Sequence, residues 1–197
     1  SVQVSGATPW SSANGIFYDG NGNEIKGAIA KGIDVSYHNG DIDWAKVKAA
    51  GISFALLRCG YGNDERNQDD IKFVQNVKGC EDNGIQYGVY LYSYAVDNDK
   101  EKTLEDMARS EAEHVLRMIE EAGAKPTMSV YYDIEDKSQV GMTAKQYGNM
   151  AEIFCNIVKN AGYKVGVYSN YYWWTNRLTD SRFDNWGKWV ARYNNTS

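Results

Sequence analysis

The sequence predicts an α/β fold on a parallel sheet, closed as a β/α barrel rather than left as an open doubly wound sheet. Three observations predict it. From Gly32 onward, short apolar strands alternate with helical stretches, and that alternation implies parallel strands joined by right-handed crossovers. Several strands end in polar or aromatic residues: Asp34 and Ser36, Tyr92 and Ser93, Asp133 and Glu135, Tyr168 and Asn170, Arg192 and Tyr193. The C-terminal strand ends form the mouth of such a barrel. An open sheet also places its site at strand ends, but no strand here leads into G-x-G-x-x-G or a Walker loop.

The elements follow in order. Residues 1–30 are rich in Gly, Ser and Asn and read as a flexible leader or linker, with a hairpin about Asp19-Gly20-Asn21-Gly22-Asn23. Gly32–Ser36 is the first strand of the main unit. Asp43–Gly51 is a short helix that Asp43 can cap and Gly51 can close. Ile52–Cys59 is an apolar strand, followed by the loop Gly60-Tyr61-Gly62-Asn63. Asp69–Asn83 reads as a helix with Ile71, Val74 and Val77 on its buried stripe and Gly84 as its stop. Ile85–Ala95 is the next strand.

Thr103–Ala122 is a long amphipathic helix, its stripe made by Leu104, Met107, Ala108, Ala112, Val115, Leu116 and Ile119. Val130–Glu135 is the central strand. Thr143–Ala161 is a helix capped by Thr143 and stopped by Gly162. Lys164–Asn170 is a strand, Tyr171–Leu178 a short helix and Lys188–Tyr193 a last strand.

Composition narrows the function. The 197 residues are 43% hydrophobic and 24% charged, as in a folded domain with a substantial core. A net charge of −5 argues against nucleic acid, which needs a basic face. No apolar run approaches the roughly 20 residues of a membrane span. Ser1–Ser5 lacks the basic and apolar succession of a signal peptide and reads as a mature or trimmed start. Cys59, Cys80 and Cys155 are too few for a disulfide framework, and Cys59 and Cys155 fall in core segments as buried thiols. With no C-x-x-C and only His38 and His114 as imidazoles, neither a zinc site nor any other metal or cofactor is expected. Fifteen Tyr and six Trp exceed what a core usually needs and lean mildly toward sugars.

The stretch Val130-Tyr131-Tyr132-Asp133-Ile134-Glu135-Asp136 carries the chemistry. Side chains alternate along a strand, so Asp133 and Glu135 share a face, roughly 6.5 Å apart along the chain. Paired carboxylates flanking a scissile bond are what glycoside hydrolysis requires. Alone, an Asp-x-Glu triplet is equally a solvated acidic strand end. Asp136 points to the other face and reads as structural.

Six motifs in order lift that ambiguity. They are Gly32-Ile33-Asp34-Val35-Ser36 with Gly40-Asp41-Ile42-Asp43-Trp44, Phe54–Gly62, Gly88–Ala95, Tyr132-Asp133-Ile134-Glu135, Gly166–Asn170, and Trp189-Val190-Ala191-Arg192-Tyr193. Together they resemble glycoside hydrolase family 25, the Chalaropsis-type lysozymes, over about residues 31–193. The resemblance implies a flattened, TIM-like (β/α) barrel and cleavage of the β-1,4 bond between N-acetylmuramic acid and N-acetylglucosamine in bacterial peptidoglycan. By that likeness Glu135 is the general acid/base. Asp133 positions the substrate N-acetyl group, whose carbonyl oxygen is the nucleophile, and Asp34 sits across the cleft. Substrate assistance of this kind is a known exception to the two-carboxylate scheme.

Tyr61, Tyr92, Tyr168, Asn170 and Tyr193 are the candidate substrate-binding residues. One of Trp173 and Trp174 is expected to line the cleft and the other to be buried. His38 is read as a loop residue near the mouth, and His114 as without function. The family continues past the Trp-x-Ala-x-Tyr strand with two further strands, the last carrying another Asp, whereas this sequence stops at Asn194-Asn195-Thr196-Ser197. The expected catalytic domain, residues 31–197, is therefore C-terminally short, with a gap between the strands at 33–36 and 189–193. Action outside the cell or at the wall is implied, with wall-binding modules elsewhere in a parent protein. The rival readings are a chitin-type hexosaminidase and a glycan-binding module without catalysis.

Overall fold

Six parallel strands lie side by side in the order in which the chain makes them. The structure is a computed structural model, and it describes residues 11–97 and 101–191. Ahead of the sheet stand two short antiparallel strands, β1 (Ser11–Ala13) and β2 (Ile16–Tyr18). Their turn is Asn14-Gly15, with φ of 54° and 79°, the left-handed pair that a two-residue hairpin needs. The chain also doubles back at the expected turn, with Tyr18 and Glu24 bridged antiparallel across it. Within that turn Asp19 Oδ1 accepts from the amides of Asn21 and Asn23, both at 2.9 Å.

The main unit runs β3 (Gly32–Val35), α1 (Trp44–Ala49), β4 (Phe54–Tyr61), α2 (Phe73–Asp82), β5 (Gln86–Tyr92), α3 (Leu104–Glu121) and β6 (Val130–Asp133). It continues through α4 (Ala144–Asn160), β7 (Val165–Asn170), α5 (Tyr171–Asn176) and β8 (Gly187–Ala191). Thr103 and Thr143 each close a capping box, with Asp106 and Gln146 respectively, as the two long helices require at their first turns. Among the described residues no helix is long and apolar enough to cross a membrane.

Sequential parallel order has a consequence for shape. Right-handed crossovers between successive neighbours put every connecting helix on the same face. The helix-packed face holds Ala55, Leu57, Val89, Leu91, Val130, Tyr132 and Val167, all 0% exposed. On that side Tyr132 stacks on Phe154 of α4 with centroids 4.0 Å apart. The other face curls. Tyr90 on β5 and Trp189 on β8 are separated by two strands, or about 14 Å if the sheet were flat, yet their ring centroids lie 5.7 Å apart. Gly166 permits part of this, since a Cβ there would sit 2.6 Å from the Tyr131 ring.

The result is a curled half-barrel. A full ring is not formed among the described residues: β3 and β8, the two strands between which the gap is expected, are edges with one neighbour each. The helix expected from Asp69 begins later, at Phe73, because Asp69 and Asp70 are committed elsewhere. Asp70 accepts from the amides of Tyr37 and Lys72 and from Arg58. The buried stripe of α2 is accordingly Phe73, Val77 and Cys80, while Ile71 and Val74 are exposed. Strand β4 runs on to Tyr61 through the expected loop, across an irregularity between Arg58 and Gly60. All three cysteines are buried and free.

Candidate active site

The concave face is built from every second residue of the same strands. In register across it run Asp34 beside Leu56, then Arg58, Tyr90 and Tyr131, and nearer the strand ends Tyr92, Asp133, Tyr168 and Trp189. Asp133 ends β6 at 3% exposure. Ile134 then turns into the core, its amide donating to Tyr168 O at 3.0 Å, which returns Glu135 to the concave side. Glu135 is half-buried and accepts from Asn170 Nδ2 at 3.4 Å. Asn170 is fixed in turn as the N-cap of α5, its Oδ1 accepting from the amide of Trp173.

Three carboxyls on this face have raised pKa values. Burial lifts Asp133 well above the ordinary carboxylate range, and the charges of Glu135 and Asp34 add to it while Arg58 opposes. Glu135 is raised by burial first and by Asp136 and Asp34, against the hydrogen bond from Asn170. Asp34 is exposed at the edge, yet enough protein crowds its carboxyl for desolvation to raise it too. On a flat sheet β3 and β6 would stand about 14 Å apart; the curl brings Asp34 within electrostatic reach of both acids. Asp133 Oδ1 is buried without a hydrogen-bond partner, an unfavourable state for a core carboxyl.

Asp136 behaves differently. Burial alone would raise it, but hydrogen bonds from Ser138 and from Tyr92 hold its pKa below the usual range. It caps the turn Lys137–Gln139, as a structural acid should. It does not point away from the site, because the strand has ended: its Oδ2 accepts from Tyr92 Oη at 3.0 Å.

The other candidates divide. Tyr61 and Tyr92 are half-buried and both lie against Tyr94, with ring centroids 5.8 and 5.2 Å from it. Tyr168 is only 8% exposed and lies against Trp189 at 4.3 Å. Tyr193 lies outside the described residues. Neither Trp173 nor Trp174 is the cleft indole. Trp173 is buried against Tyr147, and Trp174 packs edge-on to Phe183. That place belongs to Trp189, which also touches Tyr90 and Tyr131.

Sequence reasoning passed over Arg58 and Glu111, and read His114 as without function. Arg58 extends along the concave face from β4, its Nε donating to Asp70 Oδ2 at 3.0 Å and its guanidinium over the Tyr37 ring. Alternation along Phe54–Tyr61 was the available signal. His114 is fully buried, its ring nitrogens against Gly62 O and Asp69 Oδ1 at 3.1 and 2.9 Å. It pins the loop after β4. Glu111 is fully buried on the helix side and bonded by Tyr132 Oη, Ser93 Oγ and the amide of Tyr94. No group of three or more His, Cys, Asp or Glu among the described residues could hold a metal ion.

The same fold occurs in solved structures. The modular autolysin LytC from Streptococcus pneumoniae superposes with a TM-score of 0.77 at 27% identity, over 94% of this chain and 43% of LytC. The same autolysin in complex with a synthetic peptidoglycan ligand gives 0.78. A family 25 glycosyl hydrolase from Bacillus anthracis, 18% identical, shares the fold with a TM-score of 0.65 over 82% of this chain and 69% of that one. Lysozyme M1 of Streptomyces globisporus is 38% identical over 63 residues, which are 32% of this chain and 20% of that protein. The chain thus spans a fifth of that curated relative and less than half of LytC. Residues 33–197 match the description Glycosyl hydrolases family 25, and with that match over most of its length the chain belongs to glycosyl hydrolase family 25.

Proposed function

We propose that this chain carries the catalytic site of a peptidoglycan hydrolase, an N-acetylmuramidase that cuts the β-1,4 bond between N-acetylmuramic acid and N-acetylglucosamine. The observation that carries the reading is the pair Asp133 and Glu135 on one concave face, both with carboxyls raised by burial. A raised pKa keeps Glu135 protonated at pH values where an ordinary glutamate would have ionised, as a general acid must be.

In this reading Glu135 gives its proton to the glycosidic oxygen as the bond to the anomeric carbon breaks. The carbonyl oxygen of the neighbouring N-acetyl group closes onto that carbon, forming an oxazolinium ion. Asp133 accepts the acetamide N–H, and the partnerless Oδ1 is where that N–H belongs. In its ionised form Asp133 also stabilises the positive charge developing on that nitrogen. Glu135, now ionised, takes a proton from the water that opens the ring. Asp34 adds negative potential from across the curl, and Asn170 orients Glu135. The six strands are taken as part of a flattened β/α barrel, with peptidoglycan at its mouth and the enzyme acting at the wall, outside the cell.

Glu135→Gln tests the assignment. Gln keeps the shape but moves no proton, so clearing of a wall suspension should fall at least about 100-fold, the usual worth of general acid catalysis. Activity within tenfold of the parent would refute the role. Muramic acid at the new reducing ends separates this reading from a chitin-type hexosaminidase.

A further inference from the structure

Asp136 follows the acid pair and has no step in the mechanism, yet its carboxylate is held toward the site. Its Oδ2 accepts from Tyr92 Oη at 3.0 Å, and its Oδ1 accepts from the amide and the hydroxyl of Ser138 at 2.8 and 2.7 Å. Tyr92 stands in register with Asp133 on the concave face. We propose that Asp136 is a positioning residue for the reaction, a fixed negative charge beside Glu135 that holds the acid's proton in place and so sets the alkaline limit of catalysis. The proposal deepens the hydrolase reading and rests on it for the role of Glu135.

The charge is permanent. All three partners of the Asp136 side chain are donors, which a carboxylate accepts together and a protonated acid would meet with one acceptor fewer. Burial works against the charge, but the bonds from Ser138 and Tyr92 outweigh it and hold its pKa below the usual range.

The charge is also fixed in space. Gln139 Oε1 accepts from the amide of Asp136 at 3.2 Å, while Gln139 Nε2 donates into the core, to Ser93 Oγ at 3.1 Å and Ala95 O at 3.0 Å. Tyr147 Oη donates to the carbonyl of the same glutamine. A charge anchored in this way cannot swing into solvent, so its field on a neighbour is preorganised.

The other groups around Glu135 leave this task to Asp136. Burial is the first cause that raises Glu135, the charges of Asp136 and Asp34 add to it, and Asn170 opposes. Asp133 and Tyr92 also lie within electrostatic reach of Glu135. Arg58 on β4 acts on Asp133. Asp133 and Asp34 are themselves raised by burial, so of these acids Asp136 is the one whose charge is full where Glu135 must keep its proton.

The test separates charge from shape. Asp136→Asn keeps a side-chain oxygen for the amide of Ser138 and the cap of the turn, and removes the charge. The profile of kcat against pH, on a saturating soluble oligosaccharide of alternating N-acetylglucosamine and N-acetylmuramic acid, reports the acid in the bound complex. Without the neighbouring charge Glu135 loses its proton more readily. The alkaline limb should therefore move to lower pH by about one unit, the scale of one charge on an adjacent residue. Rates on the acidic side should coincide with the parent's, and rates beyond the limb should be about tenfold lower. A damaged turn would instead lower the rate equally at every pH. In the free chain the carboxyl carbon of Glu135, assigned in NMR spectra by its loss in Glu135→Gln, should also titrate about one unit lower.

Asp136→Ser, neutral and a good cap, repeats both measurements if the Asn variant fails to fold. A limb and a titration that stay at the parent's positions, a shift to higher pH, or a uniform loss of rate overturns the proposal. The titration needs no substrate, so the two readings fail separately. A titration that moves in a chain whose parent cleaves nothing at any pH sinks the hydrolase reading alone. Cleavage with an unmoved limb sinks the role of Asp136 alone.

Discussion

The two faces of the sheet are made by the same strands and are physically opposite. In Val130-Tyr131-Tyr132-Asp133, Val130 and Tyr132 enter the helix-packed core, while Tyr131 and Asp133 face the concave side. On the helix side even the charged group is satisfied: Glu111 receives three hydrogen bonds, and Gln139 completes the cluster through Ser93 and Ala95. On the concave side Asp133 Oδ1 and Arg58 Nη2 are buried with no partner. The helix side holds the packed core, while the concave side gathers three carboxyls raised by burial, as expected where a site must keep groups poised for a ligand.

Substitutions on the two faces should therefore act in opposite directions. The largest effect belongs to the helix side. Phe154→Ala removes a fully buried ring stacked on Tyr132 and should cost about 3–5 kcal/mol, a fall in Tm on the order of 10 °C. A loss under about 1 kcal/mol would mean that the helix side is less tightly packed than its burial implies.

Next is the pH dependence that Glu111 imposes. Burial raises its pKa to about 7, against hydrogen bonds from Tyr132, Tyr94 and Ser93 that lower it. Between its ordinary value of about 4.5 and about 7 the folded chain holds a proton that the unfolded chain has lost. Its contribution to stability is thus full below about 4.5 and declines as pH rises to about 7, by about 3 kcal/mol in all. Denaturant midpoints measured across that window should show this slope, and Glu111→Gln should flatten it. An unchanged slope in the variant would place its origin elsewhere.

The smallest effect has the opposite sign. Ionising Asp133 in the folded chain is unfavourable, so Asp133→Asn should raise stability at neutral pH while severely reducing wall clearing. If the variant is both inactive and less stable, Asp133 is held by interactions that outweigh its burial, and the contrast between the faces fails at its most important residue.

How far the sequence could be read follows the same division. Period-two alternation put Asp133 and Glu135 on one face, and the cap at Thr143 fell where the residues predicted it. Those are local properties. The start of α2 was misplaced because Asp69 and Asp70 serve partners far along the chain, His114, Arg117, Arg58 and Tyr37. Arg58 is a single charged residue in an apolar strand, and nothing local to that strand reveals its partners Asp70 and Tyr37.

By itself the sequence determined the order of elements, the parallel sheet and the acids at the end of the central strand, because strand and helix periodicity depend only on neighbouring residues. Only the tertiary structure decided the curl, the aromatic floor under Trp189 and the burial that raises Asp133, Glu135 and Asp34. Each of these depends on how residues three strands apart approach one another, and electrostatic energy depends on that distance and on excluded water, neither of which is written in any one segment.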